Sequence, residues 1–211
     1  MVKKMNRQDK EFYWIVGMMV GVVLLFAFAS YIFSSFNEFE YEGLTFTKEK
    51  FDEIPVYHYY YNMMKNDESG DIIKYNLYLR TDVRKNDIPV QGSDIYFPAD
   101  RFVYVAIGGF ELEECENTGI AVSELSAFLT NNQLIVKGAS SDVIHSQVKG
   151  IKYASCDEYP DNAVIEIKPG DVTRVKTSGL CTEIFVKDCE ILEAVEKFEV
   201  HAIVDAKARA I

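Results

Sequence analysis

The chain carries a long run without charged side chains near its start, from Phe12 to Phe33. As an α-helix, a run of this length extends about 33 Å, which is enough to cross a hydrocarbon core of about 30 Å. Aromatic residues stand at both ends of the run, where they suit the two membrane interfaces. The run therefore predicts a transmembrane helix, and the bilayer is its predicted partner.

Two fates are open for this run. Ala27-Phe28-Ala29 fits a signal-peptidase site, and cleavage after Ala29 would release a soluble secreted domain. A secretory signal, however, has an apolar region of about 7–15 residues that ends before its cleavage site. Here the apolar run resumes with Tyr31, Ile32 and Phe33. The sequence therefore favours an uncleaved signal anchor.

Charge predicts the orientation of the anchor. Residues 1–11 carry four basic and two acidic side chains, and basic flanks stay in the cytoplasm. We expect a single-pass protein of the cell membrane, with the N-terminus in the cytoplasm and the C-terminal domain outside. The net charge of the whole chain is −11, so the part beyond the anchor is strongly acidic. This acidity argues against nucleic acid and anionic lipid headgroups as partners.

The predicted organisation has four parts: a cytoplasmic basic tail (1–11), the transmembrane anchor (12–33), a juxtamembrane segment (34–45) and one extracytoplasmic domain (46–211). No Gly/Ser-rich or Pro-rich linker divides the domain. Within the anchor, Gly17 and Gly21 are spaced as G-x-x-x-G, which allows close approach of a second helix. These two glycines either face lipid or form a transmembrane dimer contact.

The domain pattern predicts an α/β or α+β fold with a mixed β-sheet. Alternating residues over 56–63 and 73–80 favour a hairpin, and 102–107 reads as a buried strand. A helix capped by Thr118 and a strand over 134–136 would complete a β-α-β unit. The remaining predictions are a short helix over 142–148, strands over 151–155, 163–167, 172–176 and 182–186, and a closing helix over 190–207.

Four cysteines lie beyond the anchor: Cys115, Cys156, Cys181 and Cys189. In an oxidising exterior, an even number of cysteines suggests two disulfides, for which three connectivities are possible. If Cys181–Cys189 were one straight strand, its ends would be about 26 Å apart, too far for a bond. We expect a 115–156 bond, together with a 181–189 bond that requires a bend. No C-x-x-C motif and no Cys/His zinc spacing is present.

Tyr57-His58-Tyr59-Tyr60-Tyr61 is the first candidate ligand-binding feature. Alternation along a strand would place Tyr57, Tyr59 and Tyr61 on one face and the other two residues on the opposite face. Such a face could stack on sugars or other flat ligands. Aromatic residues are also common in ordinary strands, so the structural interpretation has the greater weight.

The remaining chemical candidates are weaker. His145 follows Ser140, Ser141 and Asp142, which suggests a hydrolase, but no G-x-S-x-G nucleophile elbow is present. Gly108-Gly109 stands where phosphate loops occur, yet four glutamates between 111 and 116 would repel a phosphate. These acids, or those at 67, 68 and 71, lack the spacing of an EF-hand calcium loop. The sequence predicts neither a catalytic set nor a metal or cofactor.

Two segments resemble uncharacterised single-pass membrane-anchored hypothetical proteins of small archaea. They are Tyr78-Leu79-Arg80-Thr81-Asp82-Val83-Arg84-Lys85-Asn86-Asp87-Ile88-Pro89-Val90 and Cys189-Glu190-Ile191-Leu192-Glu193-Ala194-Val195-Glu196-Lys197-Phe198. The resemblance implies the same anchored topology over most of the exterior domain. It implies no activity and no functional residues.

Two functional hypotheses of different class follow. The first is an anchored binding or interaction module, which could contact itself or another protein of a cell-envelope complex. It predicts an apolar or aromatic surface without convergent catalytic groups. The second is an anchored extracytoplasmic enzyme, either a hydrolase or a thiol oxidoreductase. It predicts a pocket in which histidine, acids or a free thiol converge.

Overall fold

A computed structural model of the chain describes residues 7–65, 70–97 and 102–209, with the backbone alone described for 7–11 and 30–36. Helix α1 spans Arg7–Asn37. Within these residues it is the one helix long and apolar enough to cross a membrane, over Phe12–Ala29, and no part of that stretch is buried against the protein. A soluble core helix would be buried, so the exposure leaves a membrane span or a signal sequence.

The elements that follow α1 form two β-sheets and four helices among the described residues. In chain order they are β1 (Glu38–Tyr41), β2 (Leu44–Phe51), β3 (Ile54–Met64), β4 (Ile72–Leu79), β5 (Val90–Gly92), β6 (Phe102–Ile107), α2 (Phe110–Glu113), α3 (Thr118–Asn131), β7 (Ile135–Ser140), α4 (Val143–Lys149), β8 (Ala163–Pro169), β9 (Arg174–Ser178), β10 (Cys181–Val186) and α5 (Ile191–Arg209).

The first sheet is an antiparallel meander with the order β1-β2-β3-β4. The second is mixed, with the order β5-β9-β10-β8-β6-β7. Strands β6 and β7 are parallel neighbours joined through α3, and β8 lies parallel on the other side of β6. The predicted hairpin, β-α-β unit, mixed sheet and closing helix are therefore confirmed, and the first sheet adds two strands to the prediction.

Those two additional strands precede the predicted hairpin. Glu42 and Gly43 both have positive φ and join β1 to β2 in a two-residue turn, the geometry that hairpins favour. Leu44 and Phe46 then alternate into the core, and neither side chain is exposed to solvent. The residues assigned from sequence to a juxtamembrane segment, 34–45, thus lie in α1, β1 and β2.

Helices α3 and α5 form a middle layer between the two sheets. On one side they contact β7 and β10 of the mixed sheet. On the other side, Tyr75 of β4 packs edge-on against Phe128 of α3, and Tyr41 of β1 accepts a 3.0 Å hydrogen bond from Lys197 of α5. Because α5 meets a sheet on both sides, buried residues surround it. This explains why its sequence fits a strand period as well as a helical one.

Two local predictions are wrong. Residues 151–155 are not a strand: they make an isolated bridge between Tyr153 and Ser140, and Ala154 is buried as part of a loop that covers the mixed sheet. Thr118 does not cap α3, because Asn117 occupies the N-cap position. The Thr118 hydroxyl instead donates to the carbonyl of Leu112 and joins α3 to α2.

Candidate functional site

An aromatic cleft of about 690 Å³ lies at the C-terminal ends of α3 and α5. Its volume is within the range of typical small-molecule sites. Strand β3, the segment after β5, the α3–β7 connection and the last turns of α5 all contribute walls. The lining residues are Tyr59, Tyr61, Asn62, Ile95, Tyr96, Phe97, Phe128, Asn132, Gln133, Leu134, Ile135, Ala202, Ile203, Ala206, Lys207 and Arg209.

The alternation predicted for the tyrosine run is confirmed. Tyr57, Tyr59 and Tyr61 point to the helix side of the sheet, where Tyr57 is buried and the other two are half-buried. The rings of Tyr59 and Tyr61 stack with centroids 6.0 Å apart. His58 and Tyr60 lie on the outer face. Tyr57 therefore lies in the core, whereas Tyr59 and Tyr61 pack against the core and also line the cleft.

Hydrogen bonds hold the floor of the cleft in place. The Tyr61 hydroxyl donates to Asn132 Oδ1 at 2.8 Å, and Asn132 Nδ2 donates to the carbonyl of Phe128 at 2.7 Å. Gln133 Nε2 donates to the carbonyl of Met64 at 2.8 Å. Burial raises the pKa of the Tyr61 hydroxyl well above its ordinary value, so Tyr61 remains a neutral donor.

The opposite wall is fastened to α5. The backbone amide of Ile95 donates to Asp205 Oδ2 at 2.8 Å, and the ring of Phe97 packs edge-on against Phe198. Lys207 and Arg209, in the last turn of α5, supply positive charge at the rim. Lys207 Nζ donates to the carbonyl of Gly43 at 2.6 Å and has two further donors.

The lining of this cleft combines aromatic and aliphatic surface with polar and positively charged groups. Among the described residues, its lining includes aromatic rings, aliphatic side chains, amides and two cations, but no Asp, Glu, His, Cys or Ser. Such a surface can stack on a flat ligand, bond its polar edge and attract a negative group.

A second concavity, of about 650 Å³, lies at the carboxyl ends of β6 and β8. Strands β7 and β8, which follow β6 in the chain, lie on opposite sides of it in the sheet. Ligands of open α/β sheets bind at such a switch point. Here, however, four of the lining side chains are acidic and one is basic. The acids are Glu111, Asp142, Asp157 and Glu166, and the base is Lys168.

Gly108 serves close packing at this crevice. A Cβ built on Gly108 would be 2.9 Å from Ser141 Oγ and 3.1 Å from Lys168 Cβ. Lys168 is itself held by Glu183 at 2.5 Å and Glu166 at 3.2 Å, which neutralise it. The helix that follows, α2, has only four residues. The crevice therefore lacks what a phosphate loop requires, in agreement with the electrostatic argument from sequence.

The structure brings Ser140, His145 and Glu113 into one chain of contacts. Ser140 Oγ is 2.9 Å from His145 Nδ1, and His145 Nε2 is 2.9 Å from Glu113 Oε1. This order matches the serine–histidine–acid arrangement of hydrolases. Hydrogen bonds from Lys149 and then from His145 hold the pKa of the Glu113 carboxyl below its ordinary value, so Glu113 is ionised.

The surroundings of Ser140 and His145 show that these contacts stabilise the fold and do not form a catalytic triad. Ser140 is fully buried and His145 almost fully buried, so no substrate carbonyl can reach the hydroxyl. Ser140 Oγ is also 2.9 Å from the carbonyl oxygen of Ile107, to which it donates. A serine that donates to a backbone carbonyl is not donating to histidine, as a nucleophile must. The contacts fasten the β7–α4 corner to α2.

All four cysteines are in disulfides, but their pairing differs from the expected one. Cys115 bonds Cys189, and Cys156 bonds Cys181. Strand β10 begins at Cys181 and runs straight to Val186, so it separates Cys181 from Cys189. The first bond therefore closes the carboxyl end of the parallel strands, and the second closes their amino end, where Cys181 is opposite Val164. The 115–156 and 181–189 pairs would each have to connect opposite ends of the sheet.

Metal and acidic-loop candidates do not gain support. Within the described residues, no group of three or more His, Cys, Asp or Glu side chains could hold a metal ion. Asp67 and Glu68 lie outside the residues that the structure describes. Gly17 and Gly21 lie on α1 with no atom within 4 Å of a Cβ built on either, and the single chain does not test a dimer contact.

Comparison with known proteins yields no relatives: no family model, no curated protein and no solved structure matches the chain. The function of this chain is therefore inferred from its own geometry. Sequence reasoning identified Tyr59 and Tyr61 in the cleft but not Phe97, Phe128 or Asn132. Phe97 follows β5, whereas Phe128 and Asn132 lie four residues apart at the end of α3, and no local pattern relates the two segments.

Proposed function

We propose that this protein is a single-pass, membrane-anchored extracytoplasmic binding protein. Its aromatic cleft would hold a flat, largely apolar small ligand that carries a negative or hydrogen-bond-accepting group. The observation that carries the proposal is the cleft itself, a concavity of about 690 Å³ with stacked tyrosines and two cations at its rim. Hydrogen bonds hold the Asn132 side chain in place, which favours a binding site that is already formed without ligand.

The anchored topology has three supports. Helix α1 is long and apolar enough to span a bilayer, and its apolar side chains are exposed. The basic flank of 1–11 favours a cytoplasmic N-terminus. Two disulfides favour an oxidising compartment for the domain. The roles of residues 1–11 as a cytoplasmic tail and of 12–33 as an uncleaved anchor belong to this proposal.

A topology experiment tests the anchor. Cys115 and the other cysteines are bonded, so single cysteines introduced at Val2 and at Asp171 are distinct labelling sites. In intact cells, a membrane-impermeant maleimide should label the Asp171→Cys variant and leave Val2→Cys unlabelled until the cells are lysed. Labelling in the reverse order, or a mature chain that begins at Ser30, would contradict the proposal.

A matched pair of variants tests the cleft. Ala206 lines the cleft, whereas Ala208 is exposed on the same helix outside the lining. The probe is 2-naphthoate, a planar aromatic carboxylate, titrated by calorimetry into full-length protein in nanodiscs, with empty nanodiscs as the reference. Ala206→Trp should fill the cleft and abolish the binding heat, whereas Ala208→Trp should bind as the wild type does. Equal binding by both variants, or no binding by the wild type, would contradict a cleft for flat anions.

The glycines of α1 support a separate proposal of self-association. Gly17 and Gly21 form a small-residue face on α1 that a second copy of the helix could contact. Replacing both by isoleucine should reduce crosslinked dimer in native membranes. Unchanged crosslinking would assign these glycines to the lipid-facing surface.

A further inference from the structure

The membrane helix continues into the folded domain without a linker. Helix α1 ends at Asn37 and β1 begins at the next residue, Glu38. Helix α1 also contacts β2, so the junction between the helix and β1 lies beside the first sheet. The sheet is therefore held close to the point where the chain leaves the bilayer.

Strand register shows which end of this sheet faces the bilayer. Glu38, the first residue of β1, is opposite Thr47, and β2 continues four residues further to Phe51, which is opposite Ile54. Those four residues extend about 13 Å beyond the start of β1, at the end of the sheet where α1 joins it. The β2–β3 turn therefore lies beyond the start of β1, on the side at which α1 joins the sheet.

An exposed apolar patch lies on this turn and on the neighbouring strand β4. Phe51 and Ile54 have exposed fractions of 55% and 51%, and Tyr78 of β4 has an exposed fraction of 43%. The rings of Phe51 and Tyr78 pack edge-on with centroids 5.7 Å apart, and His58 stacks on Tyr78 at 4.5 Å. We call Phe51, Ile54 and Tyr78 the turn patch. Its rings hold one another in place while leaving their outer surfaces open.

Charges around the turn patch nearly cancel. Lys48 and Lys50 are exposed beside it, and Glu49, Asp52 and Glu53 oppose them. A surface of this kind has no strong attraction for anionic headgroups. Its apolar and aromatic side chains instead suit the boundary between headgroups and acyl chains, where aromatic residues of membrane proteins concentrate.

We propose that the turn patch inserts into the headgroup–acyl boundary of the bilayer that α1 spans, and so fixes the orientation of the domain on the membrane. The inference rests on the proposed anchor, which holds the patch at the surface at high effective concentration. Tyr61 of the cleft is seven residues along β3 from Ile54, about 23 Å away. Docking of the patch therefore holds the ligand cleft away from the lipid.

Tryptophan fluorescence tests this docking in the full chain. The protein has a single tryptophan, Trp14, which lies in the anchor and reports on its insertion. On a Trp14→Phe background, Phe51→Trp places the reporter in the turn patch. Met64→Trp is the matched control, because Met64 is 70% exposed and lies at the far end of β3, where it pairs with Ile72 of β4. Each protein is reconstituted into phosphatidylcholine vesicles with and without brominated acyl chains.

We expect brominated lipid to quench Trp14 and Trp at position 51, with emission at 51 shifted to shorter wavelength, and to leave position 64 unquenched. The result at 51 should not change with salt, because burial rather than charge drives docking. Equal behaviour at 51 and 64 would overturn the inference while quenching of Trp14 keeps the anchor. A blue shift at 51 that depends on protein concentration without lipid quenching would indicate a second copy as the occupant and overturn it too. Absence of quenching at Trp14 would instead overturn the anchor itself.

Discussion

Glu196 of α5 accepts hydrogen bonds from two successive backbone amides at the end of β4. Its Oε2 is 3.0 Å from the Thr81 nitrogen, and its Oε1 accepts from Arg80. This carboxyl ties the middle helical layer to the first sheet. It does so from a buried position that it shares with Glu199 and with the partly buried Glu124 of α3.

These three carboxyls predict a domain that is more stable in mild acid than in base. Burial raises the pKa of Glu196 to about 7, and burial also raises the pKa of Glu199 and of Glu124. A group with a raised folded-state pKa contributes stability below its unfolded pKa and loses it as pH rises through the folded value. As the pH rises from the unfolded pKa of Glu196 to its folded pKa, this residue alone lowers the free energy of unfolding by about 3 kcal/mol. The urea concentration at the midpoint of unfolding should therefore decrease as the pH is raised from 5 to 8.

Substitution of one of these three carboxyls tests whether they cause the pH dependence of stability. Glu199 Oε1 has no hydrogen-bond partner, so Glu199→Gln removes a buried charge without breaking a bond at that atom. We expect the variant to raise the urea midpoint at pH 8 and to flatten its pH dependence. Glu53→Gln, at an exposed position, is the control and should leave the slope unchanged. A midpoint that rises from pH 5 to pH 8 in the wild type would contradict the assignment.

The two disulfides should contribute to stability according to the loops they close. Cys115–Cys189 has a sequence separation of 74 and Cys156–Cys181 of 25. Chain entropy then predicts losses of about 4 kcal/mol for the Cys115→Ala/Cys189→Ala variant and about 3 kcal/mol for Cys156→Ala/Cys181→Ala. Thermal unfolding measures both losses. Non-reducing peptide mapping should recover these two crosslinks, and a peptide joining Cys115 to Cys156 would show that the pairing is wrong.

Burial of Ser140 predicts the absence of serine-hydrolase reactivity. A fluorophosphonate probe reacts with an accessible hydroxyl that a histidine activates, and Ser140 meets neither condition. We expect no labelling of Ser140 in the folded protein. His145→Ala should instead lower the melting temperature, because it leaves the Glu113 and Ser140 contacts unmade. Labelling of Ser140 would restore the enzyme hypothesis.

Two glycines should respond to alanine in opposite directions. At Gly108 the new Cβ would be 2.9 Å from Ser141 Oγ and 3.3 Å from the Ile167 carbonyl oxygen, so Gly108→Ala should destabilise the domain. At Gly119, in the first turn of α3, nothing lies within 4 Å, and alanine should stabilise the helix by about 0.5–1 kcal/mol. Differential scanning calorimetry compares the two variants, and equal shifts would show that the packing at Gly108 is looser than described.

Local patterns were sufficient for most individual elements. The alternation along β3 and β4 predicted their hairpin and the inward tyrosines, and the segment that begins at Thr118 predicted helix α3. In α5 the local pattern fitted both a helix and a strand, because the apolar residues Phe198, Val200 and Ala202 alternate along the sequence. All three are buried. Only a helix between two sheets buries residues at both periods, and that placement depends on residues far away in sequence.

The sequence by itself determined the apolar span, the acidic charge of the domain, the presence of four cysteines outside the span and most helices and strands, because these depend on composition and on contacts between near neighbours. The tertiary structure alone decided which cysteines pair, that Ser140 is sealed from substrate, and that Tyr61, Phe97 and Asn132 share a cleft. Each of these depends on which strand ends and helix ends meet in space. Such meetings follow from the order of strands in the two sheets, which no local pattern specifies.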